Sequence, residues 1–75
     1  MVKVILTGWR EDLDKVSLTK LQMEMLGKSL KESKLNVDIL LDDEEVLIEI
    51  PNLDLASEFL KEAEKIGVNC ILSID

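Results

Sequence analysis

The residues with the clearest capacity for chemistry are the acidic side chains that follow one another from Asp42 to Glu45. Four consecutive carboxylates supply the oxygen ligands that hard cations such as Ca²⁺ prefer. A calcium-binding loop, however, spaces its ligands at alternate positions and turns at a central glycine, and neither feature is present here. The run therefore predicts a solvated turn, and we expect no metal ion or other cofactor.

Catalytic residues are also not indicated by the sequence. It contains no histidine and no tyrosine, so a serine or cysteine nucleophile would lack its commonest general base. The segment Gly27-Lys28-Ser29 lacks the first glycine of a phosphate-binding loop at the required spacing. Cys70, the only cysteine, lies in an alternating apolar run and is predicted to be a buried, inert thiol. We therefore expect the protein not to be an enzyme.

The first helical segment indicates a binding surface instead. On a helix beginning near Lys15, Leu18, Leu21 and Met25 share one face, which is the predicted core side. The opposite side mixes apolar and basic side chains, whereas a helix that faced only water would be polar there. The residues on that side are Val16, Lys20 and Met23, with Thr19 at its edge. An apolar and basic patch away from the core is a candidate contact surface.

Size and charge narrow the classes of protein and partner. The 75 residues make one small domain, and 47% hydrophobic residues are enough for a two-layer core. A net charge of −7 argues against nucleic acid and against an anionic membrane surface as partners. No apolar run is long enough to span a bilayer, and no secretion signal begins the chain. We therefore expect a single domain over residues 1–75 in the cytoplasm.

Alternating and helical patterns predict the elements of the first half of the chain. Val2 to Thr7 alternates between apolar and other residues, which predicts a strand ending at Gly8. Asp12 or Asp14 is expected to cap the first helix, and Gly27 to end it in a left-handed conformation.

A second helix is expected to begin at Ser29. The Ser29 hydroxyl and the Glu32 side chain are spaced as a capping box, in which each would bond the other's amide. The remaining predicted elements are a strand over 46–50, a helix capped by Asn52 or Asp54, and a final strand over 68–74.

Residues 37–41 are ambiguous between helix and strand. They alternate, and residues 46–50 could pair with them as a hairpin if the acidic run turned the chain. We interpret them as a strand. The predicted fold is a two-layer α/β sandwich of the α+β class, with the element order β-α-α-β-α-β. The extra edge strand would give it a split β-α-β, ferredoxin-like form. Four apolar side chains would then face outward on the sheet and invite self-association: Ile5, Leu40, Leu47 and Ile71.

The helical region also resembles a known family. Residues 15–23 read KVSLTKLQM, and residues 27–34 read GKSLKESK. These segments resemble, without a gap, the two helices of the C-terminal domain of the bacterial ribosomal stalk protein, which read roughly K-V-x-V-I-K-x-V-R and then G-L-G-L-K-E-A-K. Residues 2–6 and 59–68 are similar more loosely to the first strand and last helix of that domain. Met23 stands where the family has arginine, and Ser29 where it has its second glycine.

The resemblance implies a fold and a partner. The fold is the stalk C-terminal sandwich, and the partner is a translation factor, because that family's helix pair meets elongation and release factors. Carried over by position, the implied partner-binding residues are Val16, Thr19, Lys20, Met23, Gly27, Lys31 and Lys34. The family joins this domain to an N-terminal dimerisation segment and a hinge, for which a strand starting at Val2 leaves no room. We expect a factor-binding module without the ribosome tether.

Two functional hypotheses follow. The first is a non-enzymatic protein–protein interaction module, similar to the stalk domain, that offers its apolar and basic helical face to a protein such as a translation GTPase. The alternative is a self-associating regulatory or adaptor domain of ferredoxin-like form with no ribosomal role, which would form homo-oligomers through the outer face of its sheet.

Overall fold

The computed structural model describes residues 2–74 and shows a three-stranded sheet packed against helices. The elements in chain order are β1 (Val2–Trp9), α1 (Lys15–Leu26), α2 (Leu30–Leu41), β2 (Val46–Ile50), α3 (Leu53–Lys65) and β3 (Val68–Ile74). This β-α-α-β-α-β order is compatible with a two-layer α/β sandwich and confirms the predicted fold class. No helix in this part of the chain is both long and apolar enough to cross a membrane.

The sheet is antiparallel, with β1 between β2 and β3. Val4 lies opposite Ile48 on one side and Leu72 on the other, and all three point toward the helices. On the outer face, Ile5 lies between Leu47 and Ile71. The alternation read from the sequence therefore predicts the inner and outer faces correctly.

The first strand is longer than predicted. It continues through Gly8 to Trp9, with a register shift between Leu6 and Gly8 in its pairing with β3. Such a shift lets a strand pass an unpaired residue without ending, which a sequence pattern does not reveal. Trp9 is 38% exposed at the end of this strand.

The helical hairpin of α1 and α2 is defined by its caps. Asp14, one of the two proposed caps, accepts a hydrogen bond from the Ser17 amide at 3.1 Å. Gly27 ends α1 with a φ of 67°. Ser29 accepts from the Glu32 amide at 3.1 Å, whereas the Glu32 carboxylate pairs with Lys28. Only the first half of the predicted capping box is therefore formed within the described residues.

Residues 37–41 are helical, and the prediction of a hairpin and an extra edge strand is wrong. The helix that begins after Ser29 meets no glycine or proline before residue 42. Its buried residues, Ser33, Val37 and Leu40, recur at helical spacing. Leu40 is fully buried and does not lie on the outer face of the sheet. The acidic run links α2 to β2 as an exposed turn, and the sheet keeps three strands.

The core is formed by the inner face of the sheet and the helices above it. Phe59 of α3 is fully buried, with Ala56 and Ala63 on the same stripe, and Asn52 caps this helix. The helices α2 and α3 contact the sheet, whereas α1 packs mainly on α2 and α3. One side of the α1–α2 pair therefore remains open to solvent.

Candidate protein-binding site

A groove lies between α1 and α2 on the side away from the buried residues of α1. It encloses about 350 Å³. Four residues of α1 and two of α2 line it: Val16, Thr19, Lys20, Met23, Leu30 and Lys34. We call this surface the α1–α2 groove.

The lining of the α1–α2 groove is mainly apolar although it faces solvent. Val16 is 64% exposed, Leu30 49% and Met23 36%. The Thr19 hydroxyl donates to the Lys15 carbonyl at 3.0 Å, so it is already bonded and adds little polarity to the groove. Exposed apolar side chains gathered in a concavity are typical of a binding surface, because the free energy falls when a partner removes them from water.

The rim of the groove carries positive charge that is free for a partner. Lys20 and Lys34 are both exposed, and neither lies within ion-pair distance of a carboxylate in residues 2–74. The pKa of Asp14 is lowered mainly by its hydrogen bonds with Ser17. The charge of Lys20 contributes least to this lowering, so Lys20 interacts only weakly with Asp14. By contrast, Lys28 is paired with Glu32 at 3.1 Å.

Basic residues are concentrated in this hairpin. Residues 15–34 contain five of the nine lysines and arginines but only two of the sixteen acidic residues. The helical hairpin is thus positive in a chain whose net charge is −7. Such separation of charge favours a partner with an acidic surface and disfavours approach of that partner to the rest of the domain.

The concave surface continues along the two helices. A second groove of about 340 Å³ shares Val16, Thr19 and Lys34 with the first. It extends toward the start of α1 and the end of α2, and its other lining residues are Lys15, Val37, Asp38 and Leu41. A partner segment could therefore lie along the interhelical groove over more than one turn of each helix.

The structure brings together five of the seven partner-binding residues predicted from the sequence. They are Val16, Thr19, Lys20, Met23 and Lys34. Gly27 and Lys31 do not line the groove: Gly27 forms the turn between the helices, and Lys31 is exposed elsewhere on α2. Leu30 lines the groove and was missed, although its spacing of four residues from Lys34 places both on one helical face.

A third concavity, between α1 and α3, is less suited to an acidic partner. Its lining includes Glu24 and Glu62, and Lys65 is already paired with Glu62 at 2.9 Å. The hydrogen bond from Lys65 to Glu62 also raises the pKa of this lysine. Lys20 borders this concavity as well as the α1–α2 groove.

The groups with capacity for chemistry lie apart from the α1–α2 groove. Burial raises the pKa of the Cys70 thiol to about 11, so the nucleophilic thiolate is scarce at neutral pH. Within residues 2–74 there is no cluster of three or more histidine, cysteine, aspartate or glutamate side chains placed to hold a metal ion. Cys70 is not among the residues that line the α1–α2 groove.

Compared with models of known protein families the chain matches none, and a search of curated proteins finds no match either.

Proposed function

We propose that this domain is a non-enzymatic protein–protein interaction module that binds an acidic partner surface in the α1–α2 groove, in the cytoplasm. The observation that supports this most is the combination of an exposed apolar lining with two unpaired lysines, Lys20 and Lys34, in an acidic chain. Apolar burial would supply affinity, and the lysines would orient an acidic partner and exclude basic ones.

The partner class that we propose is a translation GTPase. The support is the resemblance of residues 15–34 to the factor-binding helices of the ribosomal stalk, together with the position of five of the implied residues around one groove. The replacement of the family's arginine by Met23 removes a planar, two-pronged donor for carboxylates. We therefore expect weaker binding than an arginine at that position would give.

The test is a binding titration of purified translation elongation GTPase against the domain. Lys20→Glu combined with Lys34→Glu is expected to weaken binding more than tenfold, which corresponds to about 2 kcal/mol for contacts with charged groups. Lys20→Glu and Lys34→Glu are also measured singly against Lys61→Glu, which changes the net charge by the same amount at an exposed lysine on α3 outside the groove. Met23→Arg is expected to strengthen binding.

The outcomes separate the two parts of the proposal. If neither the wild type nor Met23→Arg binds the GTPase, the translation-factor assignment is wrong. If Lys61→Glu weakens binding as much as the groove reversals, the acidic chain simply responds to net charge, and the assignment of the groove is wrong.

A second candidate function, a self-associating regulatory or adaptor domain, has its own observation in its favour. Strand β3 forms an edge of the sheet, and only one of its two sides is paired within residues 2–74.

A further inference from the structure

Strand β3 forms one edge of the sheet and has an unpaired side. It pairs with β1, and no other strand of residues 2–74 lies along its second side. An edge strand of this kind presents main-chain N–H and C=O groups that can pair with another strand. Its seven residues, Val68–Ile74, give this edge a length of roughly 23 Å at the usual rise of a strand.

The two edges of the sheet differ in how they are protected. Strand β2 contains Glu49, follows the acidic run 42–45 and is ended by Pro51. Charges and proline are the usual means by which proteins prevent edge pairing. Strand β3 has neither within its length. In a chain of net charge −7, the seven residues of β3 thus bring no carboxylate of their own to a second copy.

Strand β3 also leaves apolar side chains exposed on both faces. Ile71 is 53% exposed on the outer face, in line with Ile5 and Leu47. Leu72 and Ile74 are opposite Val4 and Val2, on the side that the helices cover, yet they remain 37% and 65% exposed. The helices therefore leave this end of the edge uncovered, and a neighbouring strand has room to lie against it.

The sequence of β3 is complementary to itself in an antiparallel pair. Full overlap of two copies places their two-fold axis at Ile71, the central residue of the strand. Val68 then faces Ile74 of the second copy, and Cys70 faces Leu72 of the second copy. Positions on the core side pair with positions on the core side, so both sheet faces continue across the axis.

We propose that the domain forms a two-fold symmetric dimer by antiparallel pairing of β3 with β3 of a second copy. The result is a six-stranded sheet in which the outer row of Leu47, Ile5 and Ile71 doubles in length. The edges that remain are the two β2 strands, whose acidic residues oppose further pairing. Assembly therefore stops at the dimer, as a closed isologous interface requires.

The expected affinity is modest. One strand pair and three exposed apolar side chains bury less area than the roughly 1,200–2,000 Å² of a standard stable interface. A dissociation constant in the micromolar range is the corresponding expectation.

Sedimentation of two matched variants tests the pairing. Ile71→Lys places two ammonium groups opposite each other at the two-fold axis and is expected to weaken the dimer more than tenfold. Leu47→Lys lies in the same outer row and is 55% exposed against 53% for Ile71, but it is on β2. It is expected to leave the dimer intact, with circular dichroism to show that both variants are folded.

Cross-linking gives a second readout that does not depend on the stability of a lysine variant. Ile71→Cys brings two thiols together at the axis and is expected to give a covalent dimer under mild oxidation, whereas Leu47→Cys and the wild type are not. A monomeric wild type up to millimolar concentration would overturn the proposal. Equal disruption of the dimer by both lysine variants would also overturn it, because that result indicates stacking of the outer sheet faces. Assemblies larger than a dimer would overturn it as well.

Discussion

The side chain of Gln22 on α1 donates a hydrogen bond from Nε2 to the main-chain carbonyl of Ser33 on α2, at 3.1 Å. The Gln22 side chain is fully buried, and its Oε1 accepts from Asn36 Nδ2 at 2.8 Å. Both bonds join α1 to α2, which form the two walls of the α1–α2 groove. Two side-chain hydrogen bonds of Gln22 therefore connect the helices that form the groove.

We expect Gln22→Ala to lower the free energy of unfolding by about 3 kcal/mol, because it leaves a cavity and removes the hydrogen bonds that Gln22 makes with the Ser33 carbonyl and with Asn36 Nδ2. Ser33→Ala is the control on the opposite helix. The Ser33 hydroxyl is buried with no hydrogen-bond partner in residues 2–74, so its removal should leave stability within about 0.5 kcal/mol of the wild type or raise it. Urea unfolding measures both, and a larger loss for Ser33→Ala than for Gln22→Ala would contradict this account.

The two glycines with positive φ should respond differently to alanine. Gly27 has a φ of 67° and open space where a Cβ would lie, so Gly27→Ala should cost about 1 kcal/mol of backbone strain. Gly67 has a φ of 100°, and its Cβ would lie 2.7 Å from the Leu13 Cα. Gly67→Ala should therefore cost more than about 2 kcal/mol. Thermal unfolding compares them, and equal losses would show that the contact with Leu13 is unimportant.

Stability at high pH should depend on Cys70. Burial, with a smaller contribution from Glu64, raises the pKa of the folded thiol to about 11 from an ordinary value of 9.0. The unfolded chain therefore loses this proton first, and stability should fall between pH 9 and pH 11 by on the order of 2 kcal/mol. Cys70→Ala should lack this part of the decline, although it is less stable at neutral pH. Identical declines for the two proteins in urea unfolding would refute the assignment.

The strands were predictable from the sequence because apolar residues alternate along them with other residues, and this pattern indicates a sheet with one buried face. Strand β2 shows this most clearly, with Val46, Ile48 and Ile50 buried and the residues between them exposed. Residues 37–41 alternate as well, but they also match helical spacing, and a five-residue window cannot separate the two periods. The decisive fact is tertiary: Ser33, Val37 and Leu40 are buried together on one helical face.

The period of α1 alone predicts part of the candidate site, whereas Lys34 on α2 was implied by the family resemblance. Val16, Lys20 and Met23 follow from the helical period of α1. Leu30 was missed, because its position beside Met23 depends on how α2 packs across α1. The burial of Gln22 was missed for the same reason, since a polar side chain in a sequence is normally expected at the surface.

The central claim is that partners bind in the α1–α2 groove, and photo-cross-linking tests it most directly. A photoreactive residue replaces Met23 in one protein and the exposed Glu58 of α3 in a control, and each is irradiated with purified translation elongation GTPase. We expect a cross-linked complex from the Met23 position alone, and we expect it to disappear when Lys20→Glu and Lys34→Glu are added. Equal cross-linking from both positions, or a complex that survives the two reversals, would contradict it.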